Sequence, residues 1–141
     1  MGQSIIQNTD GSGGFAGSGG GAGEFVTLTF HYGANSVDQS VFTASRRYIV
    51  KSVIGRPAVA GSDGGAVTAG VNISTDTTST SGGDKCHAST INLKGSAHTN
   101  QVMTINTDGT EILASGSALG INFTGTLTAA VGSISITLCP A

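Results

Sequence analysis

The chain has 141 residues, of which 10% are charged and 38% hydrophobic, and its formal net charge is -2. A chain of this length forms one domain with a core of its own. The slight acidic balance argues against a broad nucleic-acid surface, which needs a basic stripe to neutralise phosphates, and against electrostatic attachment to a membrane. Sparse charge gives weak self-repulsion, so it favours a chain whose surface is partly covered by neighbouring subunits.

The first 24 residues have the composition of a flexible, glycine-rich arm. Residues 11–23 have the sequence GSGGFAGSGGGAG, and glycine-rich sequence loses much conformational entropy on ordering while it buries little surface. Three apolar side chains stand out in this arm: Ile5, Ile6 and Phe15. A pure spacer does not need them, so they favour an arm that docks onto a neighbouring subunit. An unstructured terminus with incidental apolar residues is the alternative.

From residue 25 onward the sequence predicts a series of short β-strands. Residues 25–32 alternate between apolar side chains and Thr or His, the pattern of a half-buried strand. Residues 66–73 are predicted to place Val67, Ala69, Val71 and Ile73 inward. Further strands are predicted at residues 40–44, 46–54, 58–60, 87–93, 101–106, 111–114, 119–128 and 134–138.

The strand predicted at residues 46–54 is the longest. Alternation assigns its two faces: Tyr48, Val50, Ser52 and Ile54 share one, and Arg47, Ile49, Lys51 and Val53 share the other. Pro57 has no N–H to donate to a sheet, so the strand is expected to break or bend there.

Four of the six basic residues belong to this region: Arg46, Arg47, Lys51 and Arg56. They form the main concentration of positive charge in the sequence. One interpretation is an edge strand that its charges protect from aggregation, and this interpretation is slightly favoured. The other is a basic strand that contacts an acidic partner surface.

The spacing of the predicted elements indicates an all-β fold. About eight to ten strands recur at intervals of roughly 8–12 residues, which is typical of a sandwich or barrel. The sequence TDGT at residues 107–110 predicts a hairpin, and the polar residues 74–84 predict a loop. A jelly-roll-like antiparallel sandwich of about eight strands, over residues 25–141, is the preferred fold. An immunoglobulin-type sandwich competes, but the chain has no tryptophan.

No group of residues points to catalysis or to metal binding. Serines are abundant, yet there is no G-x-S-x-G elbow, and the acidic residues lie mostly in or beside predicted turns. Residues 84–87, with the sequence DKCH, contain too few ligands for a structural zinc site. Cys86 and Cys139 lie far apart in sequence, and free thiols are favoured over a disulfide. We therefore expect no enzyme activity, no cofactor and no bound metal.

Two segments resemble a pattern found in small virion proteins of tailed bacteriophages. The first, VFTASRRYIVKSVIGRPAV at residues 41–59, contains F-x-A-x-R-x-Y-x-V. The second, INFTGTLTAAVGSISITLCPA at residues 121–141, is similar to a C-terminal hairpin of such proteins. The resemblance covers about residues 41–61 and 111–141 and does not include the arm.

This resemblance implies a capsid decoration or cement protein with a jelly-roll fold. It implies a homo-oligomer, most often a trimer, whose other partner is the major capsid protein, with neither nucleic acid nor membrane as a partner. The expected location is the capsid surface of the virion after synthesis in the host cytoplasm, and no signal peptide is visible at the start of the sequence. A receptor- or carbohydrate-binding module of a tail or head fibre is the alternative, although such sites usually stack sugars on aromatic side chains.

Overall fold

A computed structural model describes residues 24–75 and 83–141 in full, together with the backbone of two short strands near the N-terminus, β1 (Asn8–Thr9) and β2 (Gly11–Ser12). The side chains of Ile5, Ile6 and Phe15, and most of the loop predicted at residues 74–84, lie outside the described residues. Within the two fully described ranges there is no helix, and therefore none long and apolar enough to cross a membrane.

The ten strands of the body form two antiparallel sheets of five strands each. Sheet one contains β3 (Val26–Tyr32), β5 (Tyr48–Val59), β9 (Gln101–Val102), β10 (Ile112–Leu113) and β12 (Val131–Pro140). Its order is β10-β5-β12-β3, and β9 also pairs with β5. Sheet two contains β4 (Gln39–Thr43), β6 (Thr68–Ser74), β7 (Asp84–Lys85), β8 (Ile91–Asn92) and β11 (Ala118–Thr124). Its order is β4-β11-β6-β7, and β8 also pairs with β6.

The two sheets pack face to face around one hydrophobic core, so the prediction of an all-β sandwich is confirmed. Aromatic contacts join the sheets: the ring centroids of Phe30 and Phe123 are 6.3 Å apart, and the ring centroids of Phe42 and Tyr48 are 5.6 Å apart. The largest fully buried side chains come from both sheets and the loops between them: Val50, Val53, Val67, Val71, Ile91, Leu93, Leu113, Leu119, Ile121, Ile134, Ile136 and Leu138. Aliphatic burial of this kind is the main stabilising term of such a fold.

Simple alternation correctly predicts several strands. In β3 the apolar residues from Val26 to Tyr32 are buried or half-buried, while Thr27, Thr29 and His31 between them are exposed. The inward residues predicted for β6 are buried or half-buried as well. β12 alternates from Val131 to Leu138. β3 and β12 bury one regular face each, and the sequence period of two records that directly. In β6, Gly70 and Asn72 on the other face are buried as well.

The face prediction for β5 is wrong beyond Val50. Thr137 of β12 pairs with Ser52, whereas the next residue, Leu138, pairs with Val50. Lys51 is therefore the extra residue of a β-bulge, which shifts the alternation by one position. Beyond the bulge the core-facing position is Val53, which is fully buried, whereas the preceding residue, Ser52, is half-buried.

Of the break or bend expected at Pro57, the break does not occur, because β5 continues to Val59. Pro57 pairs with Gly132 of β12, and its carbonyl oxygen accepts a hydrogen bond of 2.6 Å from the His98 N–H. In an antiparallel ladder the N–H and C=O of a residue point toward the same neighbour. The missing N–H of Pro57 therefore faces the loop that contains His98, and the pairing with β12 loses no donor. A register irregularity follows at Ala58.

Two hairpins predicted from local sequence do not form. Gly109 adopts a left-handed φ of 103° in a turn at residues 107–110, but β9 and β10 on either side of it both pair with β5 and not with each other. The long β5 offers two pairing sites along one edge, and each short strand takes one. Similarly, β11 and β12 belong to different sheets, so the chain does not end in a hairpin. The strands predicted at residues 87–93 and 101–106 are reduced to β8, β9 and a single bridge between His87 and Ile105.

Candidate interaction surfaces

The outward side of sheet one is a surface with few charges. Within the described residues, its five strands contain no Asp or Glu. Most outward side chains are hydroxyl-bearing or aliphatic, and Val102 is 71% exposed. We call this surface the outer face. Its residues are Thr27, Thr29, His31, Ile49, Lys51, Ser52, Ile54, Arg56, Val102, Ile112, Ser133, Ser135, Thr137 and Cys139.

The bulge at Lys51 determines which basic residues reach the outer face. Without it, alternation from the buried Val50 would direct Arg56 into the core. With it, Arg56 is exposed on the same side as Lys51, and alternation from the buried Tyr48 places the exposed Arg47 there too. The structure therefore brings three of the four predicted basic residues onto one surface.

Arg46, the fourth basic residue, precedes β5 and is half-buried.

β5 does not lie at the edge of sheet one. It pairs with β12 on one side and with β9 and β10 on the other. It is therefore an interior strand, and the interpretation of its charges as edge protection is wrong.

One end of the outer face contains a small recess. Its volume is about 280 Å³, and its lining residues are His31, Arg56, Pro57, Ala58, His98, Val131, Gly132 and Ser133. His31 of β3 pairs with Ser133 of β12, which in turn pairs with Arg56 of β5, so these residues form one row across three strands. Nη1 of Arg56 donates a hydrogen bond of 3.0 Å to Oδ1 of Asn100.

His98 closes the recess from the loop that precedes β9. Its φ of 60° lies in the left-handed region, which is uncommon for a residue with a side chain. Its N–H bonds to the carbonyl of Pro57 and so ties this loop to β5. No motif or spacing in the sequence connects His31 with His98, because only the tertiary fold brings β3 and this loop together.

A groove lies between β3 and β4, the outermost strands of the two sheets on one side of the sandwich. Its volume is about 450 Å³, and its lining includes Leu28, Phe30, Val41 and Ile136. β3 pairs only with β12, and β4 pairs only with β11, among the described strands. Each therefore presents one row of backbone groups that no described strand pairs with.

The DKCH segment contributes to the packing of sheet two. Asp84 and Lys85 form β7 beside β6. Cys86 is fully buried, and burial raises the pKa of its thiol to about 12. His87 is 7% exposed, and burial lowers its pKa. A Cβ on Gly70 would lie 2.8 Å from Nε2 of His87. These buried groups are poorly placed for acid-base or nucleophilic chemistry.

In the described part of the chain the cysteines are unpaired and the potential metal ligands are dispersed. Cys86 lies in the core, Cys139 lies half-buried on the outer face, and both are free thiols, as predicted. Among residues 24–75 and 83–141, no three His, Cys, Asp or Glu side chains come together in a group that could hold a metal ion.

Comparison with known proteins gives one structural neighbour. No protein-family model matches the chain, and no curated protein matches it. Among solved structures, it is similar to a chain of the cyanophage Pam1 capsid asymmetric unit, with 15% sequence identity and a TM-score of 0.45. The match covers 96% of this chain and 96% of that chain.

Proposed function

We propose that this protein is a structural component of a bacteriophage virion, which binds the outside of the capsid and stabilises it as a decoration or cement protein. The observation that carries the proposal is the spatial pairing of the two segments that resemble phage virion proteins. The first segment, residues 41–61, contains β5 and most of β4. The second, residues 111–141, contains β10, β11 and β12. β5 pairs with β10 and β12, and β4 pairs with β11.

Because the two segments pair in space, the part of the chain that resembles phage virion proteins is one folded unit. Local β-rich sequence recurs widely, so two short matching segments in unrelated places would carry little weight. Here they form the centre of sheet one and part of sheet two. All ten residues of β12, Val131–Pro140, pair with residues of β5.

A jelly roll is part of the proposal, and the strand order supports it. β9 and β10 lie along the same edge of β5, and β7 and β8 lie along the same edge of β6, so each sheet has four strand positions. The sheets then read β3, β12, β5, β9/β10 and β4, β11, β6, β7/β8. β3 lies beside β12, and β4 lies beside β11. The first two strands of the sandwich thus neighbour the last two, as two interlocked Greek keys require.

The outer face is the surface through which we propose binding to the major capsid protein. Protein interfaces have few charges at their centre and are enriched in Arg. The outer face has mostly hydroxyl and aliphatic side chains, with Arg47 toward one end, Arg56 toward the other and Lys51 between them. A flat partner surface with acidic groups at matching positions fits this arrangement.

Self-association through the N-terminal arm is the second part of the mechanism. We propose that residues 1–24 dock onto a neighbouring subunit in a homo-oligomer, for which a trimer is favoured. The groove between β3 and β4 is a suitable acceptor, because it combines an apolar lining with unpaired strand edges. An extended segment that carries Ile5, Ile6 and Phe15 would add backbone hydrogen bonds to apolar contacts there.

The proposed role requires neither catalysis nor sugar binding. Among the described residues, the exposed aromatic side chain is Phe25, at 63% exposure, while the others pack in or against the core. A stacking platform for a sugar ring therefore has little support. The fibre-module alternative has no specific observation in its favour.

Locating the protein on virions is the test of this proposal. The protein should co-purify with virions, and electron microscopy should place it on the outside of the capsid. Particles that lack it should lose their contents at lower temperature, and added protein should restore the wild-type value. A position in the tail or a fibre, or absence from purified particles, would contradict the proposal.

Two exposed valines provide a matched pair for the binding surface. Val102 on the outer face is 71% exposed, and Val37 in the loop before β4 is 65% exposed. Val102→Glu should weaken attachment to particles because it places a carboxylate on the proposed interface. Val37→Glu adds the same charge elsewhere and should bind as the wild type does. Equal binding by both variants would remove the outer face from the mechanism.

A further inference from the structure

We propose that the recess between His31, Arg56 and His98 is an anion site that receives a carboxylate, supplied by an Asp or Glu side chain of a partner protein. The inference goes beyond the proposed function, because it identifies a particular site and the chemical group that this site binds. Binding of a small carboxylate at the recess does not depend on a role in a capsid.

Three separate parts of the chain build this site. β3 provides His31, β5 provides Arg56, and the loop before β9 provides His98. His31 and Arg56 belong to one row of a continuous antiparallel sheet, in which Ser133 lies between them. A rigid sheet holds such groups at fixed separations, which lowers the entropic cost of binding.

His98 has a backbone conformation that residues with a side chain adopt rarely. Its φ of 60° lies in the left-handed region, and such conformations recur at ligand-binding sites. The hydrogen bond from His98 N–H to the Pro57 carbonyl holds the loop against β5 in this conformation. The imidazole of His98 is thereby kept at the rim of the recess.

Among the residues that the structure describes, the lining of the recess includes a positive charge and no carboxylate to neutralise it. The guanidinium of Arg56 is permanently charged and has five N–H donors. Its Nη1 donates to the neutral amide oxygen of Asn100, and the other N–H groups of the guanidinium remain as donors for a ligand. Each imidazole offers at least one N–H whatever its protonation state.

These donors match a carboxylate better than a metal cation or a phosphate. A guanidinium repels a cation, so the two histidines do not indicate a metal site. Phosphate sites usually add clustered backbone N–H groups or several cations, whereas this recess has a single guanidinium. Arg and a planar carboxylate form two parallel hydrogen bonds.

Nuclear magnetic resonance titration of the full-length protein with sodium acetate tests the site. Sodium chloride is exchanged for acetate so that ionic strength stays constant. The side-chain signals of His31, Arg56 and His98 should shift together and reach saturation. Arg56→Gln should weaken acetate binding about tenfold or more, since it removes the charged donor. Arg47→Gln removes an identical charge from the same face outside the recess and should leave binding unchanged.

His98→Gly is a second variant that protects the test against misfolding. Glycine accepts a positive φ without strain, so this variant keeps the loop conformation and removes only the imidazole. It should weaken acetate binding by several-fold while the free energy of unfolding stays the same or rises. A loss of binding together with unchanged unfolding separates a ligand contact from a structural role.

Three results would overturn the proposal. The first is a linear shift without saturation, and the second is an equal loss of binding in Arg47→Gln and Arg56→Gln, since both indicate general screening of charge. The third is inorganic phosphate binding about tenfold or more tightly than acetate, which would contradict the carboxylate assignment. Any of these with normal attachment of the protein to virions would leave the proposed function intact.

Discussion

Gly132 of β12 lies directly beneath the hydroxyl group of Tyr32, its cross-strand neighbour in β3. The two residues pair in register, and a Cβ at position 132 would overlap the Tyr32 Oη and come within 2.6 Å of the Arg56 carbonyl oxygen. Tyr32 is 2% exposed, its hydroxyl has no hydrogen-bond partner among the described residues, and burial raises its pKa. Glycine at position 132 therefore leaves room for the ring of Tyr32 to lie over β12.

Gly132→Ala should destabilise the protein by about 1–3 kcal/mol, because the added methyl group overpacks a filled site bounded by backbone. Urea unfolding measures this change directly. Gly64→Ala is the matched control, since a Cβ there meets nothing within 4 Å, and it should change the free energy of unfolding by less than about 0.5 kcal/mol. Equal effects of the two substitutions would show that Tyr32 and Gly132 are not tightly packed.

His87 should make stability depend on pH. Burial lowers the pKa of His87 from the ordinary value of 6.5, so the unfolded chain binds more protons than the folded chain between the two pKa values. Its contribution is therefore complete above about pH 6.5 and is lost progressively as the pH falls below that value. Unfolding experiments at pH 7.5 and pH 5 should show a larger decrease for the wild type than for His87→Gln.

His31→Gln is the control for this pH dependence. His31 is exposed on β3, and its replacement should leave the decrease between the two pH values in place. If His87→Gln retains the full wild-type decrease, the buried imidazole is not its source.

The two thiols should differ in reactivity. Cys86 is fully buried with a pKa of about 12, so the reactive thiolate is scarce at neutral pH. Cys139 is half-buried on the outer face. Iodoacetamide should label Cys139 in the native protein and Cys86 only after unfolding, as peptide mass spectrometry can measure.

Attachment to particles extends this labelling experiment. If the outer face contacts the capsid, Cys139 should be protected in the bound protein and labelled in the free protein at the same concentration. Equal labelling of Cys139 in both states would place it outside the interface.

Deletion of residues 1–24 should leave the β-sandwich folded and weaken oligomer stability or attachment to particles. Burial of each of the three apolar side chains contributes about 1.5–3 kcal/mol of binding free energy. The weaker association of the truncated protein should therefore be measurable by sedimentation and by particle binding. The triple substitution of Ile5, Ile6 and Phe15 by Ser keeps the length of the arm and should reproduce most of the effect. A truncated protein that associates and stabilises particles as the full chain does would reduce the arm to a spacer.

Alternation and strand spacing along the sequence were sufficient to predict the all-β sandwich and the inward faces of β3, β6 and β12. Each of these depends on which side chains are apolar and at what period, and a strand that buries one regular face records that information locally. The free thiols were predicted on a different ground, the wide separation of the two cysteines in a chain expected in a reducing compartment. The absence of a catalytic motif in the sequence likewise led to the expectation of a structural role, which stays a prediction.

Only the tertiary structure decided the remaining features. The bulge at Lys51 depends on how β12 pairs with β5, and this pairing moves Arg56 from the core side to the outer face. Pro57 is accommodated because its missing N–H faces the loop of His98 and not β12. The recess exists because β3, β5 and a distant loop meet at one end of sheet one. Register between strands far apart in the chain is a property of long-range pairing, and no local period of the sequence contains it.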